Sequence, residues 1–102
     1  MLEGNGYEVV EARNGKEVMK KIADEPFDLV VMDLYMPKMD GFEVLEALQA
    51  EEQQVPVIVM TGHFPDYVVT ERLRGLEVVE VLRKPVMIST LINVVNRVAE
   101  KR

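Results

Sequence analysis

Apolar and polar positions along this chain follow two rhythms that alternate. Four short runs are apolar almost throughout or at every second position: Tyr7–Ala12 ("YEVVEA"), Asp28–Met32 ("DLVVM"), Pro56–Met60 ("PVIVM") and Val78–Leu82 ("VVEVL"). Each has the length and branched character of a strand. Between and after them the apolar positions recur at helical spacing. Lys16–Asp24 carries Val18, Met19, Ile22 and Ala23 on one face and stops before Pro26. Gly41–Glu52 gathers Phe42, Leu45 and Leu48, and Asp66–Arg74 is a weaker helix closed by Gly75. Met87–Lys101 is the most regular, with Ile88, Leu91, Ile92, Val95, Val98 and Ala99 at i, i+3, i+4 and i+7. Strands alternating with helices at short spacing predict a parallel sheet with helical crossovers. The unbroken apolar character of the second and third runs predicts a sheet covered on both faces.

Length and charge narrow the picture. The 102 residues support one core, so residues 1–102 read as a single domain. The net charge is −6, which argues against direct nucleic-acid binding, since phosphate contacts need clustered cations. With no cysteine there is no disulfide framework, thiolate metal site or thiol nucleophile. No apolar run approaches a membrane span and the first residues do not resemble a secretory leader, so the expectation is a soluble, cytoplasmic domain. The opening "MLEGNGYEV" reads as the last turn of a helix and its exit, with Leu2, Gly4 and Gly6 in the roles of anchor and terminators.

Parallel sheets of this kind bind ligands beyond the carboxyl ends of their strands. The second run delivers Asp33 there, the third Thr61 followed by Gly62, and the fourth Lys84 followed by Pro85. A carboxylate can attack a phosphoryl group and form an acyl phosphate. The transferred group carries its charge on three oxygens that need donors and cations, and a hydroxyl and an ammonium supply them.

The segments "VVMDLYMPKMDGFEVL", "VPVIVMTG" and "LRKP", in that order, resemble the response-regulator receiver domain of two-component signalling. The likeness runs from about Leu2 onward. It implies a flavodoxin-like, doubly wound α/β fold with strand order 2-1-3-4-5. Asp33 then resembles the phosphoacceptor, Thr61 the switch hydroxyl and Lys84 the lysine that pairs with the phosphoryl group. Pro85 resembles a proline that follows a cis peptide. The backbone carbonyl of Tyr35 resembles a Mg²⁺ ligand beside Asp33, and Pro37 and Gly41 the loop into the next helix. The implied partner is a sensor histidine kinase, whose phosphohistidine donates the phosphoryl group. The implied response is a shift of a helix–strand–helix output face.

Two departures from the family accompany these matches. The family begins with a strand that ends in an acidic pair and lies between the first two runs read here. This sequence holds four strands and lacks that one, so it reads as a receiver without its first strand and most of its first helix, with a start at an internal Met as the leading explanation. The adjacent acids Asp24-Glu25 and Glu51-Glu52 lie at helix ends, so Mg²⁺ affinity is expected to be poor. The switch aromatic three residues before the lysine is here Val81. The missing strand predicts an exposed edge, and self-association through that edge or through the C-terminal helix. The alternative is a pseudo-receiver that serves as a protein-interaction module. A haloacid-dehalogenase-type phosphatase also places Asp, Thr and Lys on successive strand ends, but it needs a second Asp where Tyr35 stands. Plainer readings accompany the rest. His63 is expected as a solvent-facing loop residue, Tyr35 and Met39 as rim and packing groups, and Tyr67, Val68 and Val69 as core. Val94, off the apolar stripe of the last helix, hints at an interface.

Overall fold

The computed structural model describes residues 3–100. After a single 3-10 turn, Glu3–Asn5, come helix α1 (Gly15–Asp24), strand β1 (Val30–Asp33), α2 (Gly41–Ala50), β2 (Val57–Thr61), α3 (Asp66–Leu73), β3 (Glu80–Arg83) and α4 (Ile88–Glu100). Each predicted helix is present to within about two residues of its expected bounds. Leu2, the expected anchor of the opening turn, and Lys101, the expected last residue of α4, lie outside the described residues. Among the described residues no helix is long and apolar enough to cross a membrane.

The sheet has three strands in the order β1-β2-β3, both pairings parallel. Val30 stands opposite Val57 and Asp33 opposite Met60, while Ile58 faces Glu80 and Thr61 faces Arg83. Side chains of β2 alternate between two cores. Val57 and Val59 join Met32, Leu34, Phe42, Val44, Leu45, Leu48, Val18 and Val69 on the face covered by α1, α2 and α3. Ile58 turns to the other face, where Val94, Val95 and Val98 of α4 cover it.

The first of the four expected strands, Tyr7–Ala12, is not a strand: these residues have no ladder partner. The segment is nevertheless anchored at both ends. The Tyr7 hydroxyl donates to Asn96 Oδ1 on α4, and Ala12 packs against the core shared with α1. The physical reason is lateral: a cavity of about 270 Å³ lies between this segment and β1, lined by Val10 and Ala12 on one side and Leu29–Asp33 on the other. It occupies the place that the resemblance assigns to the family's first strand. Chain that reads as strand stays unpaired when no neighbour comes within ladder distance, about 4.8 Å.

Two further expectations are corrected. Val94 is 6% exposed and lies in the core beneath Ile58, so it marks no interface. Its burial follows from α4 seating Val94, Val95 and Val98 together, which leaves Ile88 exposed at the helix start. In α3 only Val69 is core, while Tyr67 points to solvent.

Helix starts are well defined where they position the rim. Asn14 caps α1, accepting the Glu17 N–H at 3.0 Å. The Glu17 carboxylate turns back to the Arg13 backbone N–H at 3.2 Å, and this bond, with the Arg13 guanidinium beside it, holds its pKa below the usual value. Asp40 and Glu43 form a reciprocal capping box on α2. Gly15 is required by close approach: a Cβ there would lie 2.0 Å from the Met39 carbonyl oxygen. Gly15→Ala is therefore expected to lower the free energy of unfolding by about 1–3 kcal/mol in urea titrations, the range for overpacking. Gly4→Ala, where a Cβ meets nothing, should leave the midpoint unchanged. Asp40→Ala should cost about 1 kcal/mol in the same assay, through loss of the α2 cap.

Candidate functional site

Parallel pairing on both sides of β2 brings three strand ends to one rim. Asp33 is the last residue of β1, Thr61 the last of β2, and Lys84 the first residue after β3. The ladder is continued by Leu34 N–H to the Met60 carbonyl and by Lys84 N–H to the Thr61 carbonyl, both at 2.9 Å. These bonds hold the two chain exits in register beyond the last strand residues.

Local sequence then aims each side chain. Leu34, fully buried beside Asp33, pins the start of the loop that follows β1. The loop folds back so that the Gly41 N–H reaches the Leu34 carbonyl at 2.9 Å, and a Cβ on Gly41 would sit 2.8 Å from Leu34 Cα. Tyr35 turns its N–H inward, donating to Asp33 Oδ1 at 2.9 Å. The other carboxylate oxygen, Oδ2, is in direct contact with Lys84 Nζ. Gly62 makes this reach possible, because the space its missing side chain leaves is bordered by Lys84 Cβ at 3.1 Å and Cδ at 3.3 Å. The stem of Lys84 thus crosses β2 over Gly62 to meet a carboxylate two strands away. The Lys84–Pro85 peptide is cis.

Thr61 ends the central strand at the same rim. Its residue is 1% exposed, and its hydroxyl oxygen makes no hydrogen bond to any described residue. A buried hydroxyl left unpaired costs about 1–3 kcal/mol. Among the described residues the other buried polar one, Asn14, works as a helix cap, so the unpaired hydroxyl stands out.

The mouth of the site carries a feature that sequence reading treated as separate pieces. The Tyr35 ring stacks on His63, with centroids 4.2 Å apart and planes 17° from parallel. Phe64 meets Tyr35 at 6.4 Å and packs edge-on against the buried Phe42 at 5.3 Å, over which Arg72 places its guanidinium. His63 is exposed, as expected of a loop residue, but it is not free. The available signal was its position two residues past Thr61, matching Tyr35 two residues past Asp33 on the neighbouring strand. Met39 packs at the edge of the core, and Val81 is 38% exposed on β3, with no ring in the position of the expected aromatic.

The donor set bears on magnesium. Among the described residues no three metal-ligating side chains cluster. Asp33 offers one carboxylate whose two oxygens already engage Lys84 and the Tyr35 N–H. Magnesium takes near-octahedral oxygen coordination. The residues at this rim do not by themselves make a cage for it.

Comparison with known proteins places the chain. The family model described as "Response regulator receiver domain" matches residues 1–96. The chain is similar to the alkaline phosphatase synthesis transcriptional regulatory protein PhoP of Bacillus subtilis, 36% identical over 74% of this chain and 30% of that protein. It is also similar to response regulator MprA of Mycolicibacterium vanbaalenii, 38% identical over 74% of this chain and 32% of that one. The chain thus spans less than a third of the length of these curated relatives. Among solved structures, the receiver domain of the Francisella response regulator 1452 superposes with a TM-score of 0.87 at 30% identity, covering 97% of this chain and 81% of that one. With the parallel sheet and the three motifs in order, this match over nearly the whole length shows that the chain belongs to the response-regulator receiver domain family of two-component signalling.

Proposed function

We propose that Asp33 is the phosphoacceptor of this receiver, taking a phosphoryl group from the phosphohistidine of a sensor kinase. The observation that carries the reading is the buried, unpartnered Thr61 hydroxyl beside an Asp33–Lys84 pair. In the resting chain the Lys84 ammonium neutralises the carboxylate. An Asp33 oxygen attacks phosphorus, the phosphorus–nitrogen bond of the donor breaks, and its electron pair leaves with the imidazole. The acyl phosphate then presents anionic oxygens where the carboxylate oxygens stood. Lys84 transfers its contact to one of them, and Thr61 gains the acceptor it lacks. Hydrolysis by water later breaks the oxygen–phosphorus bond and restores the carboxylate.

Half-exposed ion pairs contribute only about 0–1 kcal/mol to folding, so the Asp33–Lys84 contact is poorly explained as a structural clamp. The same logic supports a route for the signal. Thr61 and Lys84 flank the start of the loop into α3 and the end of β3. Along that side Tyr67 of α3, Val79 just before β3, Val81 of β3, and Met87 and Ile88 at the entry to α4 are exposed apolar residues. We assign the output face and self-association to this flank. The reading also carries a cytoplasmic location, where sensor kinases present their phosphohistidine, and Mg²⁺ as the family's usual ion.

Incubation with a small-molecule phosphodonor and Mg²⁺, followed by intact-mass measurement, should show an adduct of about 80 Da. Asp33→Asn should abolish it, and an adduct that survives this substitution would refute the assignment. Lys84→Ala should reduce adduct formation at least tenfold while moving the urea midpoint little. Thr61→Val should separate fold from function. Removing an unpaired buried hydroxyl at nearly constant volume is expected to raise stability by about 1 kcal/mol, while shortening the lifetime or lowering the yield of the adduct.

A further inference from the structure

The helix that follows the site mouth is held by few contacts. Only Val69 of the eight residues of α3 is buried, and Pro65 at its start offers no side-chain cap. Leu73 packs at the edge of the core, and the Asp66 carboxylate meets Arg83 of β3 at the surface. Elements with few buried contacts shift at low cost. The Arg72 guanidinium, 4.1 Å from the centre of the Phe42 ring, is therefore one of a small number of contacts that fix α3.

That contact is the end of a row. Phe42 is fully buried, so the ring beneath Arg72 is anchored by the core. Phe64 meets Phe42 edge-on at 5.3 Å and reaches Tyr35 at 6.4 Å on its other side. Tyr35 in turn stacks on His63. At these separations rings hold one another's orientation. Core packing accounts for Phe42, but Tyr35 is 58% exposed and His63 is exposed as well, so their stack is not core.

Connectivity ties the row to the chemistry. His63 and Phe64 lie within the four residues, 62–65, that join Thr61 to α3. Tyr35 is tied to Asp33 by its own N–H, which donates to the carboxylate at 2.9 Å. Each partner of the stack thus follows one group of the site. When Thr61 moves toward an acceptor, His63 and Phe64 move with it, and Phe64 carries the shift to Phe42 and Arg72. Val81, in the place where an aromatic side chain was expected, brings no ring to this task.

We infer that Phe64 and Arg72 are positioning residues of the phosphoryl site. Through the row they fix segment 62–65, and with it the Thr61 hydroxyl, relative to Asp33. The placement of α3 and the reactivity of Asp33 are thereby coupled. The coupling works in both directions: a group bound beside Thr61 shifts α3, and a partner that moves α3 alters the hold on that group. This inference rests on the phosphoacceptor reading and adds a means of regulation to it.

The sequence has a single histidine, so the His63 ring gives an isolated NMR signal. In the whole chain at one fixed pH, that signal should lie upfield of an unstacked histidine, and Tyr35→Leu should remove the displacement. Arg72→Gln and Phe64→Leu should each remove at least half of it. Arg72→Lys, which keeps a cation over the ring, should retain most of it. Arg74→Gln makes the same change of charge on a residue paired with Glu71, and should leave the signal in the parental position. With a small-molecule phosphodonor and Mg²⁺, Arg72→Gln should slow adduct formation at least threefold, while Arg72→Lys and Arg74→Gln should stay within twofold of the parent. A parental signal in Arg72→Gln would overturn the inference, because the row would transmit nothing. A displaced signal with a parental rate of adduct formation would overturn it too. The NMR measurement needs no phosphodonor. A signal that responds to Arg72 in a chain whose parent forms no adduct would instead refute the phosphoacceptor reading.

Discussion

The site depends on β2 being paired in parallel on both sides. Asp33 and Lys84 belong to chain segments that never touch in sequence and are separated by a whole strand. They meet because both neighbouring ladders end at the same level, and because Gly62, just past the end of β2, leaves room for a lysine stem to cross. If β2 slipped by one residue against either neighbour, Thr61 would turn from the site side to the α4 side. Val57 and Val59 would leave the core they share with Phe42. The core and the chemistry are thus secured by one register.

That arrangement explains the mixture of burial at the rim. Thr61 is sealed because β2 is central and covered on both faces. Asp33 is only partly exposed because Lys84 and the Tyr35 backbone N–H engage its two oxygens, and Lys84 is more open because β3 is an edge. A buried hydroxyl, a partly exposed carboxylate and a more open ammonium are thereby graded from inside to outside across three strands. The Tyr35–His63 stack lies across the mouth of this gradient, tying the loop after β1 to the loop after β2. Phe64 links that stack to Phe42 in the core, so the mouth and the interior are mechanically continuous.

The two sheet edges are handled differently. Beyond β3, α3 and α4 leave a flank of scattered exposed apolar residues. Beyond β1 there is a walled slot, formed because the segment 7–12 is fastened at both ends yet held away from the sheet. Exposed edges favour pairing with other chains.

The sequence alone was enough to set the period of each element, the parallel sheet, and the three chemistry-bearing residues at strand ends. All of these follow from local pattern: branched apolar runs, helical spacing, and polar residues placed where the runs stop. Asp33, Thr61 and Lys84 were legible because strand ends in a parallel sheet converge regardless of the details of packing. Three features were decided only in three dimensions. Tyr7–Ala12 has a strand's sequence but not its pairing, because a ladder needs a neighbour at hydrogen-bonding distance and local preference cannot provide one. Val94 is core and Tyr67 is not, because the face a helix buries depends on where the sheet beneath it ends. The Tyr35–His63 stack joins residues 28 apart in the chain, as far apart as Asp33 and Thr61 are. Contacts between loop side chains depend on backbone exits that no periodic pattern encodes, whereas the strand ends beneath them were fixed by pattern from the start.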